Sequence, residues 1–242
     1  MKQRRYYAAV LAGGSGKRMK ISDLPKQFLM LEDKPIMIHT IEKCLLIEEF
    51  EVLLLGMNTQ WMSYADDLLK EYLDPAQRER VILVKGGDSR SDTIEMILDH
   101  LEKHYTVDEN SVLVTHDAVR PFVSLRILSE NIEMSKMHEM VDTVIPAHDT
   151  VVISTDGKLI EDIPVRSHMF LGQTPQTFNI RAYRELYSSL SEEEVRSLTD
   201  ACKVFILRNK PVAIVRGDEA NLKITTVKDL KLARALLEGS DD

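Results

Sequence analysis

Short apolar runs alternate along the chain with amphipathic stretches. The run "YYAAVLAG" (6–13) predicts a buried strand, and the pattern returns in "FEVLLLGM" (50–57), "RVILVKGG" (80–87) and "SVLVTHDA" (111–118). Between them, "KPIMIHTIEKCLLI" (34–47) has helical spacing through Ile36, His39, Thr40, Cys44 and Ile47. "WMSYADDLLKEYL" (61–73), "SDTIEMILDHLEKHY" (91–105) and "LRILSENIEMSKMH" (125–138) also read as helices, the second capped at Ser91 or Asp92. Further on, "FNIRAYRELYSSL" and "VRSLTDACKVFILRN" carry helix, "KPVAIVRGD" is a late strand, and "VKDLKLARALLEG" is a final helix ending near Gly239. Strand then helix, repeated, predicts an α/β fold: a mainly parallel sheet covered on both faces, in three Rossmann-like layers.

The rhythm breaks in the middle. "VDTVIPAHD" and "TVVISTDGKLIEDI" read as strands with a turn at Asp156-Gly157. Residues 148–172 are therefore expected to form a β-arm that leaves the main sheet of a single domain, 1–242. Such an arm suits pairing with a second subunit, and a plain surface hairpin fits the pattern equally well.

Length and composition narrow the function. A chain of 242 residues, 44% hydrophobic and 29% charged, buries a core without disulfides. Its net charge of −8 argues against a nucleic-acid partner but leaves room for a small anionic substrate held by local cations. The two cysteines, Cys44 and Cys202, form no CxxC pair and are expected as buried thiols. The N-terminal apolar run is too short for a signal peptide, and no stretch is long and apolar enough for a membrane span. The expectation is a cytoplasmic protein.

In open α/β sheets, ligands sit beyond the carboxyl ends of the strands. That directs attention to Leu11 to Arg18, Gly86 to Thr93 and His116 to Pro121. The first, "LAGGSGKRM", fails as a Walker loop because Arg18 stands where Ser or Thr is required, and Met19 replaces the third glycine of a dinucleotide fingerprint. Its physical content survives. Glycines after a buried strand let the backbone approach an anion closely, and successive N–H groups form a concave site for it. Arg18 and Lys26 add fixed positive charge, suited to the negative charge that grows in phosphoryl or nucleotidyl transfer. Asp117 ends a buried strand, where a carboxylate suits Mg²⁺.

"LAGGSGKRM" followed by "LPKQFL" resembles the nucleotidyltransferases that activate sugars and polyols, specifically the cytidylyltransferases. The resemblance continues in order through "KGGDSRSDTI", "THDAVRPF", "HDT", "GQTPQTF", "LTDACK" and "NLKITTVKDL", nearly the whole chain. Ala118-Val119, the run Gly172 to Gln176, and Thr199 to Lys203 are similar to the branch that makes CDP-ribitol from D-ribitol 5-phosphate for teichoic acid or related wall polymers. The sister branch makes CDP-methylerythritol for isoprenoid synthesis. A nucleotide-binding regulator without chemistry is the reading from another class; it would lack Arg18, Lys26 or Asp117, and all three are present.

The resemblance implies a nucleotidyltransferase fold and roles for individual residues. Leu11, Ala12, Gly13 and Gly14 would wrap the triphosphate of CTP. Arg18 and Lys26 would stabilise the transition state. Gly87, Asp88, Ser89, Arg90, Ser91, Asp92 and Thr93 would form the cytosine and ribose pocket. Asp117 would bind Mg²⁺, the expected cofactor. Arg166 and Lys223 would position the phosphate of the polyol phosphate acceptor, with hydroxyl contacts from Thr150 and Thr174. The arm favours a homodimer, and if it crosses to the second subunit Arg166 would serve the neighbouring site. Ala220 stands where relatives often place an aspartate, which leaves Asp218 or Glu219 as a substitute or Asp117 alone.

Overall fold

The computed structural model describes residues 4–14 and 24–238. In chain order the elements are β1 (Arg5–Leu11), the small pair β2 (Met30–Leu31) and β3 (Lys34–Pro35), α1 (Ile36–Leu45), β4 (Phe50–Met57), α2 (Met62–Tyr72), α3 (Pro75–Glu79) and β5 (Val81–Lys85). Next come α4 (Arg90–His104), β6 (Ser111–Asp117), α5 (Leu125–Ser135), β7 (Met140–Pro146) and β8 (Phe170–Asn179). The chain finishes with α6 (Ile180–Ser188), α7 (Glu192–Arg196), α8 (Cys202–Ile206), β9 (Ala213–Arg216) and α9 (Val227–Glu238).

Among the described residues, seven strands form one sheet in the order β5-β4-β1-β6-β8-β7-β9. The β1–β4, β1–β6, β4–β5 and β7–β9 pairs are parallel. Only β8 runs antiparallel to both of its neighbours. Alternation along the strands builds the layers. Ala8, Val10, Leu53, Leu55, Val112 and Val114 face a core closed by α1, α2 and α5. Tyr7, Ala9, Leu54 and Leu113 face a second core closed by α4, α6 and α8. A smaller cluster seats α9 against Leu31, Ile36, Val119 and Ile224. Both cysteines lie buried as thiols, in α1 and at the start of α8.

Two expectations change. The stretch 150–163 is not a pair of strands. Residues 148–169 make an exposed excursion held by a single antiparallel bridge between Ile153 and Asp162. The turn itself is present, with Gly157 at φ +69°, a conformation glycine reaches without strain, and Asp156 accepting from the Lys158 and Leu159 N–H groups. The other change is β8 itself. It belongs to the main sheet, and its buried run from Gln173 to Phe178 is mostly polar, so it gives no apolar pattern to read.

Candidate active site

The carboxyl ends of β1, β5 and β6 converge on a cleft of about 500 Å³. Its walls include Leu11 to Gly14, Gly87 to Arg90, Thr93, Asp117 and Lys223, with Lys26 and Gln27 closing one side.

Hydrogen bonds pin the loops to one another. The Ala12 N–H donates to the Gly56 carbonyl at 2.7 Å, and the buried Gln27 amide donates to the Ala12 carbonyl at 2.7 Å. The Gly86 N–H donates to the Met57 carbonyl at 2.6 Å. The cap of α4 is Ser89, two or three residues earlier than the Ser91 or Asp92 expected from the sequence. Its hydroxyl accepts from the Asp92 N–H at 3.0 Å, and the Asp92 carboxylate accepts from the Ser89 N–H at 3.0 Å. Thr93 completes the corner: its hydroxyl accepts from the Gly87 N–H at 3.1 Å and donates to the Ser89 carbonyl at 2.9 Å. A side chain at Gly87 would collide with Asp92, so this turn accepts only glycine without moving. The N-terminus of α4, with its partial positive charge, thus stands at the cleft wall.

Asp117 is the electrostatic centre. It is 6% exposed at the end of β6. One carboxylate oxygen is 2.5 Å from Arg90 Nη1; the other is 2.8 Å from Lys223 Nζ and 3.5 Å from Arg120 Nε. Burial alone would raise its pKa, but the charges of Arg90, Lys223 and Arg120 prevail and hold the carboxyl well below the usual range. Arg120 also donates to the Asn221 carbonyl at 2.7 Å, tying the β6 turn to the loop that carries Lys223.

His116 lies behind this cluster. Its Nε2 is 3.1 Å from the Arg120 carbonyl, which only accepts, so Nε2 carries the hydrogen. Nδ1 then accepts from the Thr174 hydroxyl at 2.9 Å, and that hydroxyl accepts from the Asp117 N–H at 3.1 Å. Burial pushes the imidazole down to about 4, so it is neutral near pH 7. His116 braces the site as a neutral donor and acceptor.

Most of the nucleotide-binding residues expected from the sequence therefore gather at one cleft. Ser91 is buried in the first turn of α4 and Asp92 serves the cap; neither lines the cleft. Thr174 sits beneath Asp117 with its hydroxyl engaged inside the protein. Thr150 and Arg166 lie on the exposed excursion, where Arg166 donates to the His148 carbonyl at 3.3 Å. Arg18 lies outside the described residues. Gln27, Asn58, Ala118 and Val119 also line the cleft and were not singled out as binding residues. Asn58 follows the end of β4, so the strand-end rule carried a signal for it.

Metal donors are sparse. Among the described residues no three acidic, histidine or cysteine side chains cluster as a metal site. Asp218 accepts from the Ala220 N–H, Glu219 pairs with His148, and neither lines the cleft with Asp117. Both oxygens of Asp117 already face cations. This donor set fits an ion that arrives on the nucleotide and keeps phosphate and water as most of its ligands. The described residues do not fit a resident ion held by protein alone.

Comparison with known proteins agrees with the fold. The chain is 49% identical to the ribitol-5-phosphate cytidylyltransferase of Streptococcus pneumoniae serotype 2 (strain D39 / NCTC 7466), over 96% of this chain and 98% of that protein. It is 49% identical over the same shares to the enzyme of that name from serotype 19F (strain G54). Among solved structures, the 4-diphosphocytidyl-2C-methyl-D-erythritol synthase of Anaerococcus prevotii DSM 20548 matches with a TM-score of 0.78 and 24% identity, over 97% of this chain and 96% of that one. The 2-C-methyl-D-erythritol 4-phosphate cytidylyltransferase of Francisella tularensis matches with a TM-score of 0.78 and 22% identity, over 96% and 99% of the two chains. These two show the common fold. The family described as 2-C-methyl-D-erythritol 4-phosphate cytidylyltransferase (IspD) matches residues 7–239, and the chain belongs to this family of nucleotidyltransferases.

Proposed function

We propose that the protein transfers CMP from CTP to D-ribitol 5-phosphate. A phosphate oxygen of the acceptor attacks the α-phosphorus of CTP in line. The bond from that phosphorus to the bridging oxygen breaks, pyrophosphate leaves with the electron pair, and CDP-ribitol forms. The observation that carries this reading is the cleft in which a glycine loop, a helix N-terminus and the cations Lys26, Arg90 and Lys223 surround Asp117. The full-length likeness to the pneumococcal enzymes favours ribitol phosphate as the acceptor.

The glycine loop and the start of α4 hold the triphosphate and the cytidine. Lys26, with Arg18 assigned from the sequence, neutralises charge at the α-phosphorus. Lys223 takes the phosphate of the acceptor at the cleft, and Arg166 and Thr150, on the excursion, are assigned to the same phosphate from the sequence. No covalent intermediate is needed, because the acceptor is already anionic. Mg²⁺, bound with CTP and touching Asp117, would neutralise the triphosphate and favour departure of pyrophosphate. The product serves a teichoic acid or related wall polymer, and the enzyme works in the cytoplasm. The excursion carries exposed Val152, Ile153, Leu159, Ile160, Ile163 and Val165, a surface suited to a second copy of the chain.

The test is pyrophosphate release from CTP and Mg²⁺ with D-ribitol 5-phosphate or methylerythritol 4-phosphate. Release with ribitol phosphate alone is the expected result. Release with methylerythritol phosphate alone would overturn it in favour of the second reading, which the family description favours.

A further inference from the structure

We propose that Gln173, a residue given no role above, is a positioning residue for the acceptor half of the site; this rests on the function just proposed. Gln173 is 6% exposed, on β8 just before Thr174. A glutamine so deeply buried is held by its partners, and here they all lie on one loop. Its Nε2 donates to the Asp218 carbonyl at 2.8 Å. Its Oε1 accepts from the Asp218 N–H at 3.3 Å and from Asn221 Nδ2 at 3.1 Å. The side-chain amide thus grips the loop backbone as a neighbouring strand would.

That loop serves the acceptor side. It leads to Lys223, whose ammonium meets Asp117. Asn221 in the loop accepts from Arg120 through its carbonyl and donates to the Thr174 carbonyl at 2.8 Å. Glu219 lies 2.7 Å from His148, whose carbonyl accepts from Arg166. One amide therefore fixes the loop that connects both cations assigned to the acceptor phosphate. The loops assigned to CTP, 11–14 and 86–90, make none of these contacts.

Gly217 shows how closely the loop is seated. A Cβ there would collide with Gln173 Oε1 and lie 3.1 Å from Thr143 Cγ2. Loop and glutamine are fitted to each other, and either can be altered to release the other.

The experiment is steady-state kinetics of Gln173→Leu and Gly217→Ala, varying acceptor and CTP separately. Each variant is expected to raise the acceptor KM about tenfold, the scale of one misplaced charged contact, while the CTP KM stays within about twofold. The double variant should be no worse than the poorer single one, because both release the same loop. An unchanged acceptor KM, or equal rises in both KM values, would overturn the proposal. Gly217→Ala decides if Gln173→Leu does not fold. The split is read with whichever acceptor the wild-type enzyme uses, so a wrong acceptor assignment shows in the wild type and not in the split.

Discussion

Lys223 Nζ stands 2.8 Å from Asp117 Oδ2, and Arg90 Nη1 takes the other oxygen of the same carboxylate at 2.5 Å. One buried anion therefore holds cations from two parts of the cleft, one beside the proposed nucleotide loop and one on the acceptor loop. Before substrate binds, Asp117 is the counter-charge that lets Arg90, Arg120 and Lys223 stay close together. Arriving phosphates offer these cations new partners.

Asp117→Asn removes that counter-charge and leaves three cations facing one another. Breaking such a buried cluster costs on the order of 3–5 kcal/mol, which for a chain of this size lowers the melting temperature by roughly 6–20 °C. The expected result is a lower melting temperature without nucleotide, with turnover reduced about a hundredfold or more. Thermal unfolding and pyrophosphate release check the two halves. An unchanged melting temperature would mean that the cations tolerate one another without Asp117.

His116 is expected to make the protein sensitive to mild acid. Its folded pKa of about 4 lies below its ordinary 6.5. A depressed folded value means that the unfolded chain takes up the proton first. The stability from the neutral, buried ring is complete above pH 6.5, declines as pH falls from there, and is lost by the folded value near 4. The span corresponds to about 3 kcal/mol. Melting temperature without nucleotide or metal should therefore fall over this window. His116→Gln, which has no proton to gain, should show a shallower slope there. Parallel slopes for the two proteins would assign the acid sensitivity to other groups.

The nucleotide wall gives a contrasting pair of variants. Gly87→Ala places a Cβ against Asp92 and forces the turn at the start of α4 to move. It is expected to raise the KM for CTP with a smaller change in kcat. Lys26→Ala leaves that turn alone and removes a charge at the cleft. It should lower kcat by about a hundredfold, as loss of a transition-state donor does. Initial rates at varied CTP separate the two, and near-wild-type turnover in Lys26→Ala would remove it from the chemistry.

The parallel half of the sheet was legible because its strands are apolar on both faces. β1, β4, β5 and β6 announce themselves, and the glycine and carboxylate positions at their ends follow from the strand-end rule. β8 was not legible as a strand. Its buried Gln173, Thr174, Gln176 and Thr177 are tolerated only because partners elsewhere satisfy them. Gln176 Oε1, for example, accepts from Arg90 Nη2 at 3.3 Å and from the Ala201 N–H at 3.3 Å. Those partners are far apart in sequence, so no local period encodes them. The cap of α4 was misplaced for a smaller reason. Ser89, Ser91 and Asp92 are all good capping residues, and only the three-residue spacing from Ser89 to Asp92 makes the reciprocal pair.

The proposed dimer can be tested without disturbing the fold of one chain. Ile160 and Ile163 are 61% and 57% exposed, so aspartate at both positions removes little buried apolar surface from the monomer. In a dimer built on the excursion, the same change would bury two charges without partners, at a cost of several kcal/mol. The double variant should sediment as a monomer where the wild type sediments as a dimer, with nearly unchanged secondary structure. If Arg166 serves the neighbouring site, specific activity should fall with the loss of the dimer, and wild-type activity should fall on dilution. A monomeric wild type would overturn the assembly. A dimer that survives both aspartates would place its interface elsewhere on the surface.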